Sequence, residues 1–210
     1  IYEIGLEMCG PVMMQYASED QKSRFLPPMA EGKEIWCQLF SEPSAGSDVA
    51  GLRSKAVQDG DKWIVNGQKV WTSGAQFCDY GILVVRHDAN LDKHKGMTFF
   101  FVDMKSPGID VKPIKQITGG SSFNEVYFND VIIPDSQRLG EIGDGWKVAI
   151  TTLMNERLAV GDASGADVED AFRWAKNQDD SGEPLINNKA ARDSIADWYC
   201  EASGLKNTKL

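Results

Sequence analysis

The sequence has no apolar stretch that approaches the roughly 20 residues needed for a membrane-spanning helix, and it shows no signal peptide. It also lacks an excess of basic residues, since 22 Lys and Arg against 31 Asp and Glu give a net charge of -9. This balance argues against nucleic acid as a partner, because phosphate contacts require clustered cations. It equally argues against a basic membrane-binding surface. We therefore expect no nucleic-acid and no membrane partner.

Cysteine is sparse and histidine is rarer still. The four cysteines lie far apart and form no CxxC pair. We predict free thiols in a reducing compartment: the bacterial cytoplasm, which is favoured, or the mitochondrial matrix in a eukaryote. Both histidines, His87 and His94, lie close to Asp88 and Asp92 in one polar segment. These are metal-ligand types, but they flank a polar loop between two predicted strands, and a solvated loop is the better explanation, so we predict no metal site.

The overall composition is that of a globular chain. Of its 210 residues, 42% are hydrophobic and 25% are charged, which is typical of a soluble domain with a real core. The sequence begins at Ile1 without a methionine and ends at Leu210, and both ends lie next to helical patterns. We interpret the chain as a piece of a longer protein.

In the first two thirds of the sequence, the hydrophobic pattern changes once, from helical to strand-like. Residues 1–34 form the end of a helical domain, in which Ser18–Gln21 is a capping box that starts a helix. We expect Pro27-Pro28 to break that helix. Residues 35–140 hold short runs of β-branched and aromatic residues at roughly ten-residue spacing, separated by turns that contain Gly and Pro. This pattern predicts an antiparallel β-barrel or sandwich.

The last third returns to a helical pattern. We predict that Gly140–Gly145 is a turn, followed by one helix from Trp146 to about Lys176 and another from about Asn188 to Ser203. Residues 141–210 are therefore the start of a second helical domain. The order of the segments predicts an α+β fold in which a β-domain is inserted between two helical domains.

Two segments of the β-domain carry hydroxyl groups. Phe40–Asp48, with the sequence FSEPSAGSD, offers hydroxyls and backbone amides to an anion such as a pyrophosphate. A solvated turn is the simpler interpretation of this segment alone. Asn66–Gly74, with the sequence NGQKVWTSG, predicts a hairpin turn and a strand that ends in Trp71 and two hydroxyls. An isolated tryptophan is more commonly a core aromatic.

These two segments, followed by Asn155-Glu-Arg157, resemble the acyl-CoA dehydrogenase family in order and spacing. The resemblance extends over nearly the whole chain, including three further segments: Gln21–Pro27, Phe128–Pro134 and Gly143–Trp146. It implies the same domain order as the periodicity, with a barrel-like domain between two helical domains. It also implies FAD as the cofactor, bound without a dinucleotide-binding glycine motif.

The resemblance assigns positions to the flavin site. The backbone of Phe40 and the hydroxyl of Ser41 would donate to the flavin where negative charge develops. Trp71 would cover the flavin face opposite the substrate, and Ser73 would bond flavin N5. The implied cofactor-binding residues are Phe40, Ser41, Ser47, Trp71, Thr72 and Ser73, of which Ser47 would meet the pyrophosphate.

The resemblance also implies a reaction, the α,β-dehydrogenation of an acyl-CoA thioester to the trans-2-enoyl-CoA. Glu156 and Arg157 match the arrangement in which the catalytic base is a Glu on a middle helix just before an Arg. Other members of the family carry this base further along the chain. A solvated helical residue is the alternative for Glu156. Arg157 would orient the acid or a carbonyl group, and a structural ion pair is an equal alternative.

The chain departs from the family at Gln178–Gly182, where many members carry an Arg-x-x-Phe-Gly motif that reaches the partner subunit's FAD. Here Gln and Ser replace the Arg and Phe beside two acids. We therefore expect a homo- or hetero-oligomer, with a hetero-oligomer in which only some flavin sites are filled as the hypothesis. An electron-transfer flavoprotein is the partner that the resemblance implies, beside the acyl-CoA substrate.

Three alternative functions differ from this interpretation. An acyl-CoA oxidase performs the same half-reaction and passes the electrons to oxygen. A catalytically silent subunit would stabilise an active partner, but it would have no reason to retain Ser41, Trp71, Ser73 and Glu156 together. A carbohydrate- or peptide-binding barrel would explain the strands and leave the flanking motifs as coincidence.

Overall fold

The computed structural model of the chain describes residues 2–160, 167–177 and 182–208. The strands are β1 Trp36–Leu39, β2 Lys55–Asp59, β3 Lys62–Ser73, β4 Tyr80–Arg86, β5 Met97–Asp103, β6 Ile109–Ile114 and β7 Phe123–Pro134. The α-helices are α1 Gly10–Tyr16, α2 Glu19–Ala30, α3 Gly145–Val160, α4 Val168–Ala175 and α5 Lys189–Thr208, and a π-helical segment, Ile4–Cys9, precedes α1.

The described strands form one curled, mixed sheet. Its order is β1-β4-β2-β3-β7-β6, with β5 paired to β4. The pairs β2–β3, β3–β7, β4–β5 and β6–β7 are antiparallel, whereas β4 runs parallel to β1 and to the first residue of β2. The hairpin turn predicted at Asn66-Gly67 is wrong: β3 continues through both residues, and its pairing with β7 shifts register there instead, so the Asn-Gly pair marks a bulge. The predicted α+β fold, with a β-unit between helices, is confirmed. The parallel pairs involve strands that are distant in sequence, which no local pattern reports.

The sheet separates two hydrophobic clusters, and β5 shows how. Its successive residues alternate between faces, so Phe99 and Phe101 pack in the cluster that includes α1 and α3, while Phe100 packs in the other. All three rings are buried. The second cluster consists of residues from the strands and the segments that join them, and it includes Trp63 and Phe128. Burial on both faces explains why β4 and β5 are continuous apolar runs.

The prolines in α2 do not break the helix, so that prediction was wrong. The capping box at Ser18–Gln21 is confirmed, but α2 continues through Pro27 and Pro28 to Ala30. Each proline removes only its own N–H donor, and the amide of Glu31 still donates to the carbonyl of Pro27 at 2.9 Å. The two prolines deprive only the carbonyls of Ser23 and Arg24 of their i→i−4 donors, and the amide of Lys33 donates to the carbonyl of Pro28 at 2.8 Å to close the end of the helix.

The helix predicted from Trp146 to about Lys176 is also corrected. The structure has α3 and then a separate helix, α4, and residues 161–166 between them lie outside the described residues. The side chain of Asp167 accepts a hydrogen bond from the amide of Asp170 at 2.7 Å and starts α4. This capping box is a sequence signal for the start of a helix. The apolar periodicity on both sides of it favoured one continuous helix instead. The final helix was predicted, but it runs on to Thr208.

The chain folds into two compact units, Ile1–Arg157 and Leu158–Leu210. The first contains the sheet, α1, α2 and most of α3. The second contains α4 and α5, whose side chains, with Ile186, line a largely apolar cleft of about 740 Å³ that is open to solvent. The domain boundaries predicted after residues 34 and 140 stay a prediction. Within the described residues, none of the helices is both long and apolar enough to cross a membrane.

Candidate functional site

A compact turn follows β1 and carries the first hydroxyl-rich segment. The chain leaves β1 at Phe40, and Glu42 and Ala45 exchange backbone hydrogen bonds of 2.8 and 3.0 Å across the turn. The amide of Val70 on β3 donates to the carbonyl of Ser41 at 2.8 Å. Phe40 is buried, while Ser41 is half-buried and Ser47 is exposed. The turn is therefore held to β3, with Ser47 exposed and Ser41 partly accessible.

A buried ion pair lies beneath this turn. The Lys69 ammonium donates to Glu42 Oε1 at 2.8 Å and to the carbonyl of Phe40 at 3.0 Å. Burial by itself would raise the pKa of Glu42, but Lys69 and the amides of Arg53 and Ser54 outweigh it and lower the pKa below its ordinary range. The two charges are paired and hydrogen-bonded, which is the condition under which buried charges are tolerated.

Trp71 lies at an irregularity in β3. The pairing with β7 shifts register between Lys69 and Thr72, and Trp71 has a φ of 61°, in the left-handed region that few non-glycine residues adopt. The bulge turns the indole outward, so 59% of Trp71 is exposed. Its ring contacts only the edge of Phe123 among the described aromatics, at 6.1 Å. Trp71 is therefore a presented aromatic, and the core-aromatic alternative does not apply.

Glu156 faces the sheet from α3. Val148, Thr152 and Glu156 recur every four residues on one side of this helix, and the first two are fully buried. Gln38 on β1 donates its Nε2 to Glu156 Oε2 at 3.3 Å. Arg157 points elsewhere: it is exposed, and its guanidinium lies 4.0 Å from the sulfur of a methionine one turn earlier. Within the described residues, Gln38 and not Arg157 contacts the Glu156 carboxylate.

A cavity of about 230 Å³ brings these elements together. Its lining comes from β1, the turn after β1, β3 and α3, and comprises Gln38, Phe40, Ser41, Gly46, Ser47, Val49, Val70, Trp71, Leu153 and Glu156. Five of the eight predicted site residues line it. Among these lining residues, Glu156 is the only one with an ionisable side chain. The cavity thus combines one carboxylate, two hydroxyls and an exposed indole.

The remaining predicted positions lie outside this cavity. Thr72 is buried, and its Oγ1 has no hydrogen-bond partner within the described residues. Ser73 lines a separate cavity of about 470 Å³ together with Gln76 and Ser122. Arg157 does not line either cavity. The two hydroxyls that follow Trp71 therefore do not line the cavity of Ser41 and Glu156.

Three residues with a structural role in the site were not singled out from the sequence. Gln38 interrupts the buried strand β1 between Cys37 and Leu39, and a polar residue between two core residues is a signal that alternation provides. Glu42 and Lys69 are fixed by contacts across 27 positions of sequence. No local pattern could have paired them.

The two histidines that were considered as metal ligands make other contacts. His87 Nδ1 lies 3.0 Å from Thr98 Oγ1, and the ring of His94 packs 4.4 Å from that of Trp146. The described His, Cys, Asp and Glu side chains include no group of three or more that could hold a metal ion. Cys9, Cys37 and Cys78 are buried free thiols, while Cys200 is exposed. The motif departure at Gln178–Gly182 falls mostly on residues 178–181, which lie outside the described residues.

The donor set of the cavity fits a flavin. An isoalloxazine ring requires a flat apolar surface on one side, which the exposed indole of Trp71 offers. It also requires donors for its polar edge and its pyrophosphate, and Ser41 and Ser47 supply hydroxyls at the rim. The strained φ of Trp71 is the kind of outlier that is retained where a side chain must be presented.

Comparison with known proteins identifies the family. The model for the acyl-CoA dehydrogenase middle domain matches residues 37–131, and the model for the acyl-CoA dehydrogenase C-terminal domain matches residues 143–210. Acyl-CoA dehydrogenase FadE34 of Mycobacterium tuberculosis is 46% identical over 165 residues, covering 78% of this chain and 23% of the relative. The Acetobacterium woodii protein named as subunit CarC of a caffeyl-CoA reductase-Etf complex is 31% identical over 204 residues, covering 94% and 53%.

A solved structure agrees with these matches. The ChsE4-ChsE5 complex from Mycobacterium tuberculosis superimposes with a TM-score of 0.77 at 31% identity, covering 97% of this chain and 53% of that chain. The chain spans about half of the length of most of these relatives, or less. Members of the matched family are FAD-dependent flavoproteins. Two adjoining domain models of one family, in the expected order, together match most of the sequence, and the chain belongs to the acyl-CoA dehydrogenase family.

Proposed function

We propose that the protein to which this chain belongs catalyses the FAD-dependent α,β-dehydrogenation of an acyl-CoA thioester to the trans-2-enoyl-CoA. The observation that carries the proposal is the position of Glu156. Its carboxylate is the single ionisable group among the residues lining a cavity that also presents Trp71 and two serine hydroxyls. The reaction requires one base beside one apolar, water-excluding surface.

Glu156 is the proposed base. Its carboxylate would accept the proton from the α-carbon of the thioester, and the α,β double bond forms as the β-hydride leaves. The half-buried position of Glu156 lets a bound acyl chain displace the remaining water, which makes a carboxylate more basic. Arg157 is exposed, and for it we propose only a role in the electrostatics of this end of α3.

The turn after β1 and the bulge of β3 are the proposed flavin-holding elements. When bound, FAD supplies the two-electron redox chemistry by accepting the hydride. The amide and hydroxyl near Phe40 and Ser41 would donate to its anionic edge, and Ser47 would donate to its pyrophosphate. Trp71 would exclude water from one face. Thr72 and Ser73, which follow directly on β3, remain proposed contacts of the same cofactor.

We also propose two protein partners, a different subunit and an electron-transfer flavoprotein. A hetero-oligomer is supported by the similarity to a solved complex that is named for two different proteins. An electron-transfer flavoprotein is supported by the relative named as a subunit of a reductase-Etf complex. A measured ratio of one flavin per chain in a pure homo-oligomer would contradict the hetero-oligomer.

The test is the visible spectrum of the purified full-length protein, recorded without oxygen during addition of acyl-CoA esters. We expect a flavin band that bleaches with one class of thioester. Glu156→Gln should slow the bleaching by about 10²-fold or more, because a positioned base contributes roughly 10²–10⁴-fold. Glu125→Gln is a matched control, since Glu125 is also half-buried and also accepts from a glutamine at 3.3 Å.

Each other outcome points to a different function. Unchanged bleaching in Glu156→Gln would move the base outside this chain and keep the dehydrogenase. A colourless protein that cannot be reconstituted with FAD would favour the silent subunit. Rapid reoxidation of the bleached protein by oxygen would favour the oxidase.

A further inference from the structure

Gln38 provides the only hydrogen bond to the Glu156 carboxylate among the described residues. Its Nε2 donates to Oε2 at 3.3 Å, and no described group bonds Oε1. Both residues line the cavity beside Trp71. Gln38 lies on β1 between the buried residues Cys37 and Leu39, and the backbone of β1 pairs with β4 at this position.

We infer that Gln38 is a positioning residue that holds one oxygen of Glu156 and leaves the other free for the substrate. This inference rests on the proposed function of Glu156 as the base. A residue on a paired strand is held more precisely than one on a loop. Because β1 and α3 are distant in sequence, the amide also fixes the distance between the helix that carries the base and the sheet.

The neutrality of the amide matters for a base. A cation at this position would stabilise the carboxylate strongly and reduce its basicity. The neutral amide of Gln38 orients the Glu156 carboxylate and reduces its basicity less than a cation would. The cavity lining contains no other ionisable group, Arg157 is exposed beside a methionine, and the nearby Asp48 is paired with Lys93 at the surface. The two charges buried beneath the turn, Lys69 and Glu42, are paired with each other. Within the described residues, Gln38 is therefore the one group that hydrogen-bonds to the Glu156 carboxylate.

The chain contains a matched control for this pair. Gln68 on β3 donates its Nε2 to Glu125 Oε1 at 3.3 Å, and both residues are half-buried. Neither lines the cavity of Glu156. Removing the amide donor from Gln68 therefore removes a hydrogen bond of the same length and type outside the cavity of Glu156, while Glu125 retains its second bond, from the hydroxyl of Tyr127 at 2.9 Å.

The test uses Gln38→Met, which retains the shape and removes the donor, and Gln38→Glu, which places a second acid beside Glu156. In the holoenzyme we expect Gln38→Met to lower kcat about tenfold and leave KM within roughly twofold, because the lost interaction with an anion acts on the base rather than on substrate binding. The acid limb of kcat/KM against pH should move to higher pH in Gln38→Met and further in Gln38→Glu.

A second readout does not depend on turnover. Infrared difference spectra of the resting holoenzyme during a pH titration report carboxyl protonation, and the Glu156 band is assigned by its loss in Glu156→Gln. We expect its titration midpoint to rise in the order wild type, Gln38→Met, Gln38→Glu, with no change in Gln68→Met. An unchanged midpoint in both Gln38 variants, or an equal shift in Gln68→Met, would overturn the inference.

The two proposals fail separately. If Glu156→Gln still bleaches the flavin, Glu156 is not the base, yet the infrared titration still reports whether Gln38 acts on it. If bleaching is lost in Glu156→Gln but both readouts are unchanged in Gln38→Met, Glu156 is the base and Gln38 does not position it.

Discussion

The ammonium of Lys69 lies 2.8 Å from Glu42 Oε1, with both side chains almost completely removed from solvent. Lys69 also donates to the carbonyl of Phe40, and Glu42 accepts from the amide of Arg53 at 2.6 Å. One ion pair thus joins β3, the turn after β1 and the segment before β2. This arrangement fixes the backbone that presents Ser41 to the cavity.

Lys69→Met should destabilise the protein by about 3–5 kcal/mol, because it leaves the Glu42 carboxylate buried without its partner. Chemical denaturation of the purified protein measures the change in free energy of unfolding. Lys62→Met is the matched control, since Lys62 forms an exposed pair with Asp59 at 3.3 Å and should matter far less. Equal losses of unfolding free energy in the two variants would show that the buried pair stabilises the protein no more than the exposed pair does.

The pH dependence of stability should report Glu42. Burial raises the pKa of Glu42, but Lys69 and the two backbone amides lower it more, so the folded-state value lies below the ordinary value of 4.5. A depressed carboxyl pKa stabilises the folded state above the unfolded-state value, and this contribution is lost as pH falls through the folded-state value. Glu42→Gln should be less stable at neutral pH and should show a flatter decline in acid. Parallel unfolding curves against pH would contradict this assignment.

The two tryptophans of β3 should respond oppositely to truncation. Trp71→Ala should change the free energy of unfolding little, because the ring is largely exposed, but it should weaken FAD binding measured by flavin fluorescence. Trp63→Ala should cost about 3–5 kcal/mol, because its ring is buried and its Nε1 donates to Asp135 at 2.7 Å. Unchanged FAD affinity in Trp71→Ala would remove Trp71 from the proposed site.

A glycine of α3 and a glycine of α5 should respond oppositely to substitution by alanine. A Cβ at Gly145 would lie 2.5 Å from the backbone of Met97, so Gly145→Ala should cost about 1–3 kcal/mol by overpacking. A methyl group at Gly204 on α5 would have no described atom within 4 Å, so Gly204→Ala should stabilise the protein by about 0.8–1 kcal/mol through helix propensity. Thermal unfolding of the two variants checks the opposite signs. A stabilising Gly145→Ala would show that α3 begins further from β5.

Local signals predicted much of the fold. The capping box at Ser18–Gln21, the series of short strands within residues 35–140 and the helix predicted from Trp146, which begins at Gly145, all appear in the structure. These signals depend on neighbours within a few residues. The errors arose where a second local signal competed, as at Pro27-Pro28 and at the unrecognised capping box of Asp167.

By itself the sequence determined the α+β class, the order of helical and β segments and the resemblance to a flavoprotein family, because these depend on periodicity and on residues near one another along the chain. Tertiary structure alone decided which candidates meet. Glu156 lies beside Gln38, and Lys69 beside Glu42, because α3 and the bulged β3 are both packed against the end of β1. Such contacts depend on how the sheet curls and where a helix crosses it, and these are set by packing over long sequence separations.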